Sequence, residues 1–157
     1  MAVELTPRGS YGWEMPAIAR PLLRAMIGLN AAMFRPFGTR MKVMGRPLLL
    51  LTTVGARSGK KRRIPLGWFP DSDDTWLIVA SAAGSARHPA WYINMAKKPD
   101  NVWIETGGRK MRVVPESLRG KERVDAWKRI VTLSPGYDAY QRKTDREIPV
   151  VRLRRRL

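Results

Sequence analysis

Hydrophobic and polar positions change period twice along this chain. Downstream of Pro16 and Pro21, prolines placed to favour a helix start, Leu22, Leu23, Met26, Ile27, Met33 and Phe34 recur at helical spacing, which predicts an amphipathic helix ending near Pro36. Arg20, Arg24 and Arg35 lie on its polar face. Packing on a core is the commoner fate of such a helix; covering an open barrel end and lying on an acidic membrane surface are the alternatives. Residues 1–15 read as a loose lead-in whose Tyr11 and Trp13 can dock on the domain.

From Met41 onward, short β-rich runs separated by turn residues replace the helical period. Residues 48–53, 64–69 and 75–81 are expected strands, the last two joined through 70–74, and 101–106 with 109–114 form a hairpin about Gly107-Gly108. His88-Pro89 opens a helix through Trp91, Tyr92 and Met95 that stops before Pro99. Residues 122–133 form another, with Val124, Trp127 and Val131 on one face; a short Tyr-rich turn follows Ser134-Pro135-Gly136, and 148–153 return as a last strand. There is no internal repeat. Strands with a few inserted helices predict a mainly β, α+β fold: a small barrel closed by helices rather than an alternating α/β sheet.

With 157 residues the chain supports one buried core and is too short for two ordinary domains. Residues 1–40 are therefore read as an extension with its helix, and 41–157 as the barrel domain. The formal net charge is +17, yet six Trp and eight Met among 44% hydrophobic residues mark a folding chain rather than a disordered basic one. Such a charge implies an acidic partner: nucleic acid, an anionic membrane face or a phosphorylated ligand. The absence of cysteine removes disulfides, thiolate nucleophiles and cysteine-ligated metals, and a single histidine, His88, leaves too little imidazole for a multi-His centre, so no transition metal is expected and a carboxylate site for magnesium is the one metal alternative. Acids at Glu4 and Glu14 and the lack of a long apolar run at the start place the protein in the cytoplasm.

Three segments carry chemistry. In the run 52–65, Gly55 and Gly59 permit a tight turn whose amides can point outward, Ser58 adds a hydroxyl, and Arg57, Lys60, Arg62 and Arg63 add charge suited to phosphate. A solvated basic hairpin tip is the plain alternative, and the spacing is not that of a triphosphate-binding loop. In the run 80–94, a strand ends in small residues at Ser81, Ala82, Ala83 and Gly84 and passes into a helix start, a place where a flat ring can approach the backbone. His88, a lone histidine, reads as a structural hydrogen-bonder. In the run 134–146, Tyr137 and Tyr140 share a face and make either an aromatic wall over a pocket or ordinary core tyrosines.

Together these runs resemble the F420 (deazaflavin)-dependent nitroreductase family of actinobacteria. The likeness spans about 47–152 and rests on Thr-Thr-x-Gly-x-Arg-Ser-Gly-x-x-Arg-x-x-Pro-Leu from Thr52 to Leu66, Ala-Ser…Gly…His-Pro-Ala-Trp-Tyr…Asn from Ala80 to Asn94, and Tyr-x-x-Tyr-Gln…Thr-Asp-Arg…Ile-Pro-Val from Tyr137 to Val150. The resemblance implies a split β-barrel of the flavin-binding type, coenzyme F420 rather than FMN, and hydride transfer to a quinone, nitroaromatic or similar planar acceptor. It implies that Arg57, Ser58 and Arg62 hold the cofactor's phosphate and oligoglutamate tail, with Lys60 and Pro65 in the same run. Ser81, Ala82, Ala83 and Gly84 would face its ring, with Trp91 beside it; Tyr137 and Tyr140, with Ser81, would serve the reacting side. Family members often carry Lys and Gly where this chain has Ala82 and Ala83. A non-catalytic binder of lipid, quinone or another flavin is the alternative, with nucleic-acid binding a distant third. Peripheral contact with an anionic membrane and a homodimer are further expectations.

Overall fold

The structure, a computed structural model, describes residues 2–37 and 41–157. The side chains of residues 30 and 35–37 lie outside the described residues, and with them the reading of Arg35 on a polar helix face. The strands are β1 (Lys42–Val43), β2 (Arg46–Val54), β3 (Lys61–Gly67), β4 (Phe69–Pro70), β5 (Thr75–Val79), β6 (Trp103–Thr106), β7 (Arg109–Ser117) and β8 (Val150–Arg155). The α-helices are α1 (Arg20–Phe37), α2 (Ala90–Lys97), α3 (Gly120–Leu133) and α4 (Gly136–Arg142).

All strand pairs are antiparallel, in the order β1-β2-β6-β7-β8-β5-β4, with β3 added to β2. Only Trp68 separates β3 from β4, so one bent stretch pairs with β2 through its first part and with β5 through its last. The sheet curls back on itself and the covalent link at Trp68 joins what the ladders leave split, which is the expected split barrel. The bend is held by Trp68 N–H donating to Pro47 O (3.1 Å) and Arg46 Nε donating to Trp68 O (3.3 Å). Among the described residues β3 pairs with β2 alone.

Inside and outside of the barrel follow the strand period. Ile78 and Ala80, Val151 and Leu153, and Leu49 and Leu51 point inward to a core capped by Tyr92 and Met95 of α2, while Leu77, Val79 and Val150 point outward under α3 and α4. β2 is buried on both faces, because Leu48 and Leu50 meet Phe34 of α1 on the outside, and it therefore reads as an unbroken apolar run rather than an alternation.

Several expectations need adjustment. The buried side of α3 is Ala126 and Ile130 with half-buried Trp127, whereas Val124 is 47% exposed: a small residue lets the helix approach the sheet there, so the valines are not its seam. The Tyr-rich segment is a helix, α4, started by Pro135 and supported by the Asp138–Arg142 ion pair one turn apart. β3 begins at Lys61, since backbone pairing with Val54 continues where side-chain alternation stops. Only one arc of α1 packs: Leu23 and Ile27 are half-buried and Phe34 buried, but Ile18 just before it and Leu22, Met26, Leu29 and Met33 within it stay exposed, so the core-packing expectation holds for half its apolar surface.

Candidate functional site

β2 and β3 are joined by a turn over residues 55–60, closed by Gly55 N–H to Lys60 O (2.8 Å) and Gly59 N–H to Gly55 O (3.0 Å), with Gly59 in the left-handed region at φ +66. α2 braces it from behind. Buried Asn94 accepts the Ala56 N–H (3.0 Å) and donates to Thr53 Oγ1 (3.4 Å), while Lys98 Nζ donates to Gly55 O (3.2 Å). The amides of Arg57 and Ser58 meet no protein acceptor among the described residues. A turn closed by backbone hydrogen bonds, with free donors and flanking guanidinium groups, has the form that suits an anion.

The second wall is the loop after β5. Ala82, Ala83 and Gly84 follow one another at φ 44, 53 and 83. Gly84 is required twice over, since a Cβ there would also meet Tyr140 O at 2.7 Å. Behind the loop lies Arg146, 2% exposed, and across it runs the N-terminal segment as a strap. Gly9 N–H donates to Ala86 O and Trp13 N–H to Gly84 O (both 2.9 Å), Thr144 Oγ1 donates to Tyr11 O (2.7 Å), and Asp145 accepts the amides of Ser10 and Tyr11. Further back, Val3 is inserted in the barrel core and Tyr92 Oη donates to Glu4 O (2.6 Å).

Between these walls opens a cleft of about 1630 Å³, roofed by residues 13–15 and the inner arc of α1. One stretch is apolar, lined by Ile64, Leu66, Val79, Ala82, Ala83 and Trp91. The rest is basic: Arg20, Arg24, Arg57, Lys61, Arg62, Arg63 and Arg87 face a single acid, Glu14, and none of these cations has a carboxylate partner among the described residues. A smaller cavity of about 180 Å³ adjoins it, sharing Leu66, Val79, Ser81 and Ala83, and Tyr137 and Tyr140 form its far side with their rings edge-to-face at 6.0 Å. Burial, with Tyr140 alongside, pushes the Tyr137 phenol up to about 12, so it keeps its proton at working pH.

Of the residues singled out in the sequence, Arg57, Ser58, Arg62, Ser81, Ala82, Ala83 and Trp91 line the cleft, and Pro65, Tyr137 and Tyr140 line the adjoining cavity together with Ser81 and Ala83. Lys60 stands exposed on the turn outside the lining, and Gly84 is buried beneath it against α4. His88 is a hydrogen-bonder as expected, between Thr6 and Arg146. The inner arc of α1 covers the cleft, in line with the alternative of a helix over an open barrel end. Asn94 and Arg146 sit in quoted motifs, and only their burial among backbone groups reveals their work. The arrangement suits an elongated ligand with a planar end and an anionic tail, and a second small planar ligand beside the ring end.

Comparison with known proteins agrees with this geometry. The family model described as F420H(2)-dependent quinone reductase matches residues 28–154. An F420H(2)-dependent quinone reductase of Mycobacterium tuberculosis is 34% identical over 139 residues, covering 83% of this chain and 91% of that protein. The solved structure of an F420-H2 dependent reductase, FDR-A, is 40% identical, covers 69% of this chain and 94% of its own, and has a TM-score of 0.61. A chain described as a domain-swapped dimer is 34% identical, covers 87% of this chain and 96% of its own, and has a TM-score of 0.62. The matched span takes in nearly all of the barrel, the turn between β2 and β3 and both tyrosines, and the chain belongs to the F420H(2)-dependent quinone reductase family.

Proposed function

We propose that this protein is an F420H2-dependent reductase of quinone-type acceptors, with residues 41–157 as the cofactor-binding barrel and residues 1–40 as the wall that covers its cleft. The observation that carries the reading is the division of the cleft: an apolar stretch at the Ser81–Ala83 loop, and beyond it seven cations without carboxylate partners among the described residues. That division fits a deazaflavin ring with a phosphate and oligoglutamate tail. When bound, the deazaflavin supplies the two-electron hydride chemistry.

The chain's own residues bind, orient and exclude water. Arg57 and Arg62 present forked donors to the phosphate and carboxylates of the tail, Ser58 adds its hydroxyl and amide, and Lys60 raises the potential over the turn from outside. Small side chains at Ser81, Ala82 and Ala83 leave room for a planar ring against Trp91 and Leu66. Tyr137 holds its proton at Oη and donates a hydrogen bond to an acceptor oxygen, while Tyr140 and Pro65 bound the space in which that acceptor lies. Residues 13–15 and α1 keep water from the cleft.

The test is a fluorescence titration with F420, with FMN as control, followed by menadione reduction. Saturable F420 binding is expected, weakened about tenfold or more by Arg57→Ala and by Arg62→Ala, since each removes a charge-assisted contact of about 1.5–3 kcal/mol. Tyr137→Phe should leave F420 affinity unchanged and lower kcat for menadione. Failure of the wild type to bind F420 would sink the reading.

A specific observation favours a membrane partner as well. The exposed stripe of Ile18, Leu22, Met26, Leu29 and Met33 runs along a helix that has Arg20 and Arg24 and no acid, on the roof of the cleft. No helix among the described residues is long and apolar enough to cross a membrane. The stripe suits a helix lying in the surface of an anionic bilayer, where lipid-dissolved quinones are found.

A further inference from the structure

Arg146 is a guanidinium with 2% of its surface exposed, and no carboxylate among the described residues is bonded to it. Such burial is unfavourable unless every donor is used. Its bonds go to one place: Nη1 to Ala80 O (3.1 Å), Nη2 to Ser81 O (2.9 Å), Nε to Ser85 O (3.0 Å), and Nη1 again to His88 Nδ1 (3.1 Å). Two of these carbonyls lie at the entry of the loop behind the cleft and one at its exit. Between them stand Ala82, Ala83 and Gly84, all left-handed, two of them with a Cβ that disfavours this conformation. Such a loop relaxes by rotating the peptides that flank it, and the flanking carbonyls are the ones Arg146 holds.

We propose that Arg146 is a positioning residue of this reductase: from behind the cleft wall it clamps Ala80, Ser81 and Ser85, fixes the left-handed turn of Ala82–Gly84, and so sets the affinity for the planar end of the ligand without touching it. The affinity part rests on the reading of the cleft as an F420 site; the clamp does not.

The experiment uses the full chain with Arg146→Met and Arg146→Lys, and Ile130→Ala in α3 as a destabilised control remote from the loop. Hydrogen–deuterium exchange of the ligand-free proteins and F420 titration are both read. Arg146→Met should raise exchange at residues 82–86 at least tenfold with β7 and β8 unchanged, and weaken F420 binding at least tenfold. Arg146→Lys, able to reach only part of the set, should fall between, and Ile130→Ala at matched loss of melting temperature should leave affinity within twofold. Unchanged loop exchange in Arg146→Met overturns the clamp, and an equal affinity loss in Ile130→Ala overturns the specific role. If the wild type does not bind F420, the affinity part falls with the proposed function, and the exchange result alone decides the clamp. Should Arg146→Met fail to fold, Arg146→Lys decides alone: raised exchange at residues 82–86 with β7 and β8 unchanged supports the clamp, and wild-type exchange there overturns it.

Discussion

The imidazole of His88 is held neutral by its burial and by the guanidinium of Arg146 beside it. Its Nε2–H donates to Thr6 O (2.7 Å), and Nδ1 offers its lone pair to the Arg146 guanidinium (3.1 Å). Burial pulls its pKa below the ordinary value of 6.5; the bond to Thr6 opposes this and the charge of Arg146 adds to it. The unfolded chain therefore takes up a proton near pH 6.5 that the folded one refuses, and stability falls as pH drops through that value toward the lower folded pKa. Thermal melts between pH 8 and pH 5 should show this loss in the wild type and a shallower one in His88→Asn. Parallel profiles would mean that other groups carry the acid sensitivity. Because Thr6 belongs to the strap and Arg146 to the loop clamp, residues 1–13 should become more susceptible to proteolysis over the same range.

Among the elements, the strap depends on Gly12. A Cβ there would lie 2.2 Å from Ala86 N and 2.7 Å from Gly84 O, both backbone atoms with no room to retreat. Gly12→Ala should lift the strap and cost about 1–3 kcal/mol, read as a lower melting temperature and earlier cleavage before residue 15. An unchanged melting temperature would show that the strap contributes little. The strap also marks the limit of what sequence reveals. The Gly107-Gly108 hairpin, the two glycines of the anion turn and the leucine run of β2 are local signals, each fixed by the φ or burial of the residue that carries it, and they read correctly. Residues 3–13 have no period and few apolar positions, because their order comes from hydrogen-bond partners more than a hundred residues away, the Thr144 donor and the Asp145 acceptor. α4 was hidden for a related reason: its Tyr137 packs edge-to-face on Phe69, a tertiary contact that turn chemistry at Ser134-Pro135-Gly136 does not announce. Ala82 and Ala83 were legible as small residues but not as left-handed ones.

At the scale of the molecule, an excess of seventeen positive charges surrounds one basic cleft and one exposed apolar stripe beside it. The two point the same way if the stripe rests on anionic lipid. Leu22→Asp/Met26→Asp should cut co-sedimentation with phosphatidylglycerol-containing vesicles at least tenfold while leaving the melting temperature unchanged, because the two side chains are 66% and 50% exposed in the folded chain. Equal binding by the double variant would remove the stripe from any lipid contact, and a wild type that dimerises through it would appear instead as a shift in sedimentation velocity abolished by the same substitutions.

The unpaired edge of β3 has a consequence of a different kind. A strand with one open side is a template for another chain, and Lys61, Arg62 and Arg63 stand exposed on it while Pro65 withholds a donor. The cations facing the cleft thus also stand where like charges oppose the pairing of two such edges. An anionic ligand that neutralises them lowers the mutual repulsion of two such edges, so solubility and ligand occupancy are coupled through this one strand.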